Sequence, residues 1–302
     1  MNELALVRLI RGLAPSRAPG VVAGIGDDCA IFRPRANEDL LLTTDFLIED
    51  VHFRPQTHSG ADCGWKALAR GLSDIAAMGG SPRACLVSLA LAPWANARWV
   101  RDFYRGLNQL AARHGVAVIG GDSTFTGKLA CDIVVLGAVP RGRALRRGGA
   151  RPGDLIGVTG SLGGAALGLE SLKGPARRRH LRPEPRVEAG RLLRTRLRAT
   201  ACMDLSDGLA LDLHRLCLES QAAACLWGPL PAFPGASMEQ VLAGGEDYEL
   251  LFTVPPLCRL PQSIAGLPFT AIGAIEAGTP GHLTYAGVPL KPFGWNPSAP
   301  GD

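Results

Sequence analysis

The sequence predicts a two-domain protein of mixed α/β (α+β) class, and three observations carry that prediction. Its 302 residues exceed what one hydrophobic core usually serves. Apolar residues make up 47% and charged residues 20%, a globular balance that excludes a disordered chain. Short β-patterned runs alternate with helical-period windows in both halves, and a basic, glycine-rich, aperiodic segment at 141–152 separates them. The expected domains are 1–140 and 141–302.

The elements follow in order. Residues 3–13 have helical apolar spacing, and a Pro/Gly loop leads to a short strand at 21–23 that ends in Gly24-Ile25-Gly26-Asp27-Asp28. A strand at 39–44 ends at Asp45. The strongest helix of the first half spans 62–78, because Trp65, Leu68, Leu72 and Ile75 recur three or four apart and Gly79-Gly80-Ser81-Pro82 stops it. Then come a strand at 84–91, a helix at 96–114, a strand at 116–119 running into Gly120-Gly121-Asp122, and a strand at 131–139. The second half restarts with a strand at 154–159, the loop Gly160–Gly164 and a small-residue helix. Helices are expected at 184–197 and 206–220, and strands at 222–227, 248–254 and 269–275.

Composition narrows the function classes. The net charge of +5 attracts anions without naming them. Arginine runs at 141–151 and 177–179 lack the aromatic interleaving or motif of a nucleic-acid reader, so no nucleic-acid partner is expected. Eight cysteines form no CxxC pair and sit mostly in apolar runs, which suits buried thiols in a reducing compartment. The N-terminus lacks a signal-peptide core, and no apolar run approaches membrane-span length. The expectation is a soluble, cytoplasmic protein with no membrane partner.

Acids recur beside small residues at turns and strand ends: Asp27, Asp28, Asp45, Asp74, Asp122, Asp204, Asp207, Glu246 and Asp247. Each alone has a plain explanation. Asp204, Ser206 and Asp207 can cap a helix, and Lys66, Arg70 and Asp74 can form a surface charge stripe. Together they exceed what capping needs. Hard oxygen donors suit Mg²⁺ bridging to phosphate, while the six histidines are scattered and make no zinc pattern. No P-loop occurs, so phosphate chemistry here would rest on metal ions, glycine-loop amides such as those of Gly160–Gly164, and arginines.

Ten segments in order, covering nearly the whole chain, resemble the thiamine-monophosphate kinase family: GIGDDCA (24–30), TTD (43–45), HF (52–53), KALARGLSDIAAMGGSP (66–82), GGDST (120–124), GRALRRGGARPGD (142–154), VTGSLG (158–163), HLRPEPR (180–186), MDLSDGL (203–209) and GGEDYELLF (244–252). The resemblance implies the aminoimidazole ribonucleotide synthetase-like fold, a homodimer formed through the N-terminal domain, and transfer of the ATP γ-phosphate to thiamine monophosphate. It implies several Mg²⁺ ions held or surrounded by Asp28, Thr43, Thr44, Asp45, Asp74, Asp122, Asp204 and Asp207. ATP contacts would fall to Tyr104, Gly121, Asp122, Arg147 and Ser206, and thiamine phosphate contacts to His52, Glu246 and Trp295. The acceptor is already an anion, so the expected mechanism is direct in-line transfer with no covalent intermediate.

The chain departs from the family pattern at three places. Phe125 stands where an arginine is usual, Asn296-Pro297-Ser298 replace the usual Asp-His-Phe after Trp295, and Asp50 replaces a small residue before His52. The competing readings are a sister synthetase of the same superfamily, a metal-dependent phosphohydrolase and a nucleotide-binding regulator. Cys29 within GDDCA and a chain ending in Pro300-Gly301-Asp302 lack the reactive-cysteine contexts that two of the sister enzymes would need.

Overall fold

The structure, a computed structural model, describes residues 3–13, 18–25, 29–264 and 266–295. It divides into two compact units, one of residues 1–75 and 80–142, the other of 76–79 and 143–302.

The first unit contains α1 (Glu3–Leu13), β1 (Val21–Ala23), β2 (Ile31–Phe32), β3 (Glu38–Ile48), α2 (Gly60–Ala77), β4 (Ser81–Leu91), α3 (Ala97–His114), β5 (Ala117–Gly120), β6 (Ser123–Phe125) and β7 (Ala130–Pro140). Its sheet runs β3-β7-β4-β5, with β6 also paired to β4. The β3–β7 and β4–β7 pairs are antiparallel, while β5 and β6 join β4 in parallel. Alternation sorts the strands into two faces. Leu41, Leu47, Val87, Leu89, Ile133 and Val135 are buried together with Leu68, Leu72 and Ile75 of α2. The alternate residues of β3 lie on the other face, where Leu42 is 70% and Phe46 57% exposed. The short β1–β2 hairpin covers one end of the sheet, its Val21 and Phe32 packing against Ala84, Ala117 and Leu136.

Local chemistry sets the helix ends. Ser59 and Asp62 cap α2 reciprocally, Ser59 Oγ accepting from Asp62 N at 3.2 Å while Asp62 Oδ2 accepts from Ser59 N at 3.2 Å. Asn96 caps α3 by accepting from Arg98 and Trp99, and Gly115 closes it in the left-handed conformation. The two helices approach backbone to backbone at Gly106, where a Cβ would lie 1.8 Å from Ala61 O.

The second unit contains β8 (Leu155–Thr159), α4 (Gly164–Ser171), α5 (Gly174–Leu181), α6 (Val187–Leu192), a π-helical turn (Leu193–Leu197), β9 (Ala201–Asp204), α7 (Leu209–Glu219), β10 (Ala223–Leu226), α8 (Met238–Ala243), β11 (Leu250–Val254), β12 (Ser263–Ile264), β13 (Leu267–Glu276), β14 (Leu283–Tyr285) and β15 (Val288–Pro289). The sheet order is β15-β14-β10-β13-β8-β11-β9, antiparallel except at β10–β14, with β12 paired to β13. Ile156, Val158, Met203, Leu251 and Ile272 of the sheet form one core with Leu209, Leu213 and Leu216 of α7 and Val241 of α8.

The helix expected at 206–220 begins only at Leu209. Gly208 sits at φ 117°, and the amides of Ser206 and Asp207 are held by a side chain instead of a helical turn. The helix expected at 184–197 starts at Val187, after Arg186 at φ −89° and ψ 44° as its non-helical cap residue, and its last turn widens to π geometry. All eight cysteines are free, five of them buried, and burial pushes the Cys63 and Cys85 thiols up to about 12. Among the described residues no helix is long and apolar enough to cross a membrane.

Candidate active site

In the first unit the candidate ligands lie where β3 meets α2. Alternation along β3 puts Thr43 and Asp45 on the face that carries the buried Leu41 and Leu47. Thr43 Oγ1 donates to Asp74 of α2, and Arg70, one turn earlier, reaches Asp45 Oδ1 at 3.1 Å and the Phe46 carbonyl. Thr44 points to the other face and donates to Asp132 of β7, 2.5 Å away. Burial pushes the Asp45 carboxyl up to about 6; Arg70 pulls it down, and Asp74 and Asp132 push it up again. The Lys66-Arg70-Asp74 series is therefore no surface stripe, since Lys66 is 0% exposed and donates to the His52 carbonyl at 3.3 Å. His52 Nδ1 in turn accepts from Ile48 N at 3.0 Å.

Asp122 lies in the β5–β6 turn, where its carboxylate accepts from Ser123 N at 2.7 Å. Gly121 precedes it at φ 146°, and a Cβ there would meet Val87 O at 1.9 Å, so only glycine fits. Tyr104 is placed differently from a ligand contact. It is 1% exposed, packs edge-on against Phe103 in the core, and burial drives its hydroxyl pKa upward, so its ring presents no surface to a nucleotide. Asp28 lies outside the described residues.

In the second unit one turn gathers four candidates. After β9 the chain runs Asp204-Leu205-Ser206-Asp207-Gly208, and two other segments bind its backbone. Ser206 O accepts from Glu246 N at 2.8 Å, Leu205 O accepts from Tyr248 N at 2.9 Å, and Asp207 O accepts from Trp295 N at 2.9 Å. Ser206, Asp207, Glu246 and Trp295 thus come together through main-chain bonds. Glu246 and Tyr248 adopt positive φ of 66° and 50°, a conformation side chains seldom take outside constrained sites. His180 Nδ1 stands 3.3 Å from Glu246 Oε2. Arg147 is not brought to this turn. Its carbonyl accepts from Ser220 Oγ at the C-terminal end of α7, the end opposite Ser206, and its side chain is exposed.

The Gly160–Gly164 loop corrects an expectation. Three of its amides already have partners: Gly160 N bonds Pro268 O, Leu162 N bonds Pro231 O, and the buried Asp247 carboxylate accepts from Gly163 N at 2.5 Å and from the following Ala165 N at 3.0 Å. Asp247 occupies the anion position at the start of α4 that a phosphate would take. Burial pushes its carboxyl up to about 6 against the pull of these N–H donors and Arg179. Next to it, the fully buried Glu249 accepts from Arg179, Arg186 and Thr159.

The described residues contain no group of three or more His, Cys, Asp or Glu side chains arranged to hold a metal ion. Several candidate carboxylates are instead engaged, Asp45 by Arg70, Asp74 by Thr43 and Asp207 by Arg215. The donor chemistry nevertheless fits magnesium. Hydroxyl and carboxylate oxygens of Thr43, Asp45 and Asp74 adjoin at one strand–helix junction, and the Asp45 carboxyl, raised first by burial and further by Asp74 and Asp132, is a site where a hard cation would favour the charged form.

Sequence reasoning passed over Asp132, Asp212, Arg215 and Glu249. Asp132 is 88 residues from Thr44, and only strand register brings them together. Asp212 and Arg215 carried a signal, an acid and a base three apart on the helix that follows DLSDG. At the departures from the family pattern, Asp50 pairs with Lys128 at 2.9 Å and Phe125 is exposed, while residues 296–298 lie outside the described residues.

A mixed sheet-and-helix first unit that carries acidic strand-end motifs defines a class, and a family comparison gives it a name: the AIR synthase related protein, N-terminal domain, matches residues 26–139. A thiamine-monophosphate kinase of Salmonella typhimurium is 38% identical, over 97% of this chain and 96% of that protein. A crystal structure of thiamine-monophosphate kinase from Stenotrophomonas maltophilia K279a superposes with a TM-score of 0.83 at 37% identity, over 96% of this chain and 98% of that one. The structure of AaThiL complexed with AMPPCP and TMP gives 0.79 at 32% identity, over 97% and 96%. The chain belongs to the thiamine-monophosphate kinase family.

Proposed function

We propose that this chain transfers the γ-phosphate of ATP to thiamine monophosphate, giving thiamine diphosphate and ADP in thiamine diphosphate biosynthesis, with magnesium required. The observation that carries the reading is the likeness, from end to end, to thiamine-monophosphate kinases, one of them bound to AMPPCP and TMP.

The chemistry assigns the residues their parts. The acceptor is a phosphate monoester whose second ionisation is largely complete at neutral pH, so no side chain must remove a proton from it. The obstacle is the approach of two polyanions. Bound magnesium supplies charge neutralisation and a template for the phosphates. Asp28, Thr43, Thr44, Asp45, Asp74, Asp122, Asp204 and Asp207 are the residues that would hold or surround the ions. Gly121 lets backbone approach the nucleotide closely, Ser206 binds phosphate from the turn after β9, and Arg147, away from that turn on an exposed loop, remains a separate candidate contact for ATP. Tyr104, closed in the core, is left to packing. Glu246 faces the thiazolium cation of the substrate, Trp295 offers a half-exposed indole for its rings, and His52 completes the acceptor site. Transfer is direct and in line, with no covalent enzyme intermediate.

The open apolar face of β3, with Leu40, Leu42 and Phe46, supports a homodimer through the first unit. The free, mostly buried thiols support a cytoplasmic location.

Incubation with ATP, Mg²⁺ and thiamine monophosphate, followed by chromatography, tests the reading. Thiamine diphosphate and ADP in equal amounts are expected. Free phosphate without thiamine diphosphate would indicate a phosphohydrolase, and tight ATP binding without turnover a nucleotide-binding regulator.

A further inference from the structure

Asp212 is fully buried in the first turn of α7, yet it does not cap its own helix in the usual way. Its Oδ2 reaches back past Gly208 and accepts from Ser206 N at 3.1 Å and Asp207 N at 3.0 Å. Its Oδ1 accepts from Arg215 Nη1 at 2.9 Å, and the same nitrogen donates to Asp207 Oδ2. One buried carboxylate therefore fixes the backbone of two candidate ligand residues and, through one guanidinium, the direction of the second one's carboxylate. A buried carboxylate with both oxygens committed holds its partners more firmly than solvent or a neutral side chain would.

We propose that Asp212 is a positioning residue, with Arg215 as its arm: together they set the Ser206–Asp207 turn in the geometry that receives nucleotide and magnesium. The proposal rests on the assignment of Ser206 and Asp207 made above. It differs from a plain helix cap in what it predicts, because a cap stabilises α7 without altering ligand dependence.

Asp212→Asn keeps the shape and one acceptor oxygen but loses the charge and the second acceptor. In the ligand-free protein, amide hydrogen exchange of a peptide spanning 203–209 should rise by about tenfold or more, while that of 250–254 in the sheet core stays unchanged. The magnesium concentration for half-maximal turnover and the KM for ATP should each rise about fivefold or more, with the KM for thiamine monophosphate within about twofold. In an Asp207→Asn background, Asp212→Asn should add less than about twofold to the magnesium requirement, because the group it positions is gone. Arg215→Gln, on a partly exposed side chain, is the second variant: it should shift the magnesium requirement while the exchange of the Ser206 amide stays low. Faster exchange without any change in magnesium or ATP dependence would overturn the proposal and leave only a cap. Unchanged exchange would overturn it outright. If Asp207→Asn itself leaves the magnesium dependence unchanged, the assignment of Asp207 fails, and the exchange result still decides whether Asp212 holds the turn.

Discussion

Asp45 and Asp207 have the same proposed task in different surroundings. Asp45 is held by burial and by the Asp74 and Asp132 carboxylates, with Arg70 as its counter-ion, whereas Asp207 shares Arg215 with Asp212. Both are already committed to arginines, so each must exchange or share that partner when a cation binds. Asp122, exposed in its turn, has no arginine bonded to its carboxylate among the described residues. Asp122→Asn and Asp207→Asn should each lower turnover about tenfold or more with the fold intact, by steady-state kinetics and circular dichroism; near-normal rates in both would remove the metal-based mechanism. Asp247 allows a pH test. Its folded-state carboxyl lies near 6, above the unfolded value, so the folded chain keeps a proton through a window where the unfolded chain has lost it. That contribution to stability is present below about pH 4 and is lost as pH rises through about 6. Urea unfolding at several pH values should show the wild-type chain losing about 3 kcal/mol relative to Asp247→Asn across that window; parallel pH profiles would refute the assignment. At this scale the sequence motifs singled out residues that the fold holds by specific partners, as Asp45 by Arg70 and the Ser206 turn by Glu246 N, and their roles are the proposals made above. The sequence was silent where register or folding brought distant residues together, as with Asp132 and Thr44, and nothing local in the Gly160–Gly164 loop revealed that Asp247, 84 residues on, would take the Gly163 amide.

Elements with a clear period were readable. Residues 3–13 are a helix as their spacing predicts, α3 starts one residue after its expected 96 because Asn96 is the cap, and α2 differs from its expected range by two residues at the start and one at the end. Short or basic elements were not. β9 has four residues, all buried, and α5 has the sequence GPARRRHL with no apolar stripe, so neither shows a pattern to the eye. Their stability comes from the sheet and from packing, which lie outside any local window. The α2–α3 contact is another tertiary feature, built on the absence of a side chain at Gly106. Gly106→Ala should destabilise the chain by at least about 2 kcal/mol, because the Ala61 carbonyl cannot yield without parting the helices. Chemical denaturation measures it, and a loss below about 0.5 kcal/mol would mean that the helices are not held at that separation.

For the whole molecule, the two units each have a sheet, a core and part of the candidate machinery: Thr43, Asp45, Asp74 and Asp122 in the first, Asp204, Ser206, Asp207, Glu246 and Trp295 in the second. The exposed Leu42 and Phe46 give the first unit an apolar face that fits the proposed homodimer. Leu42→Glu with Phe46→Glu should convert a dimer to a monomer in sedimentation velocity; an unchanged sedimentation coefficient would place the interface elsewhere or remove it. The central claim is a phosphoryl transfer between two named substrates, and its most direct test follows the phosphate itself. With ATP radiolabelled at the γ-phosphate, thiamine monophosphate and Mg²⁺, the label should appear in thiamine diphosphate in step with ADP, and chelation of the metal should stop it. Label released as inorganic phosphate, or label retained in ATP while thiamine monophosphate is bound, would contradict the account.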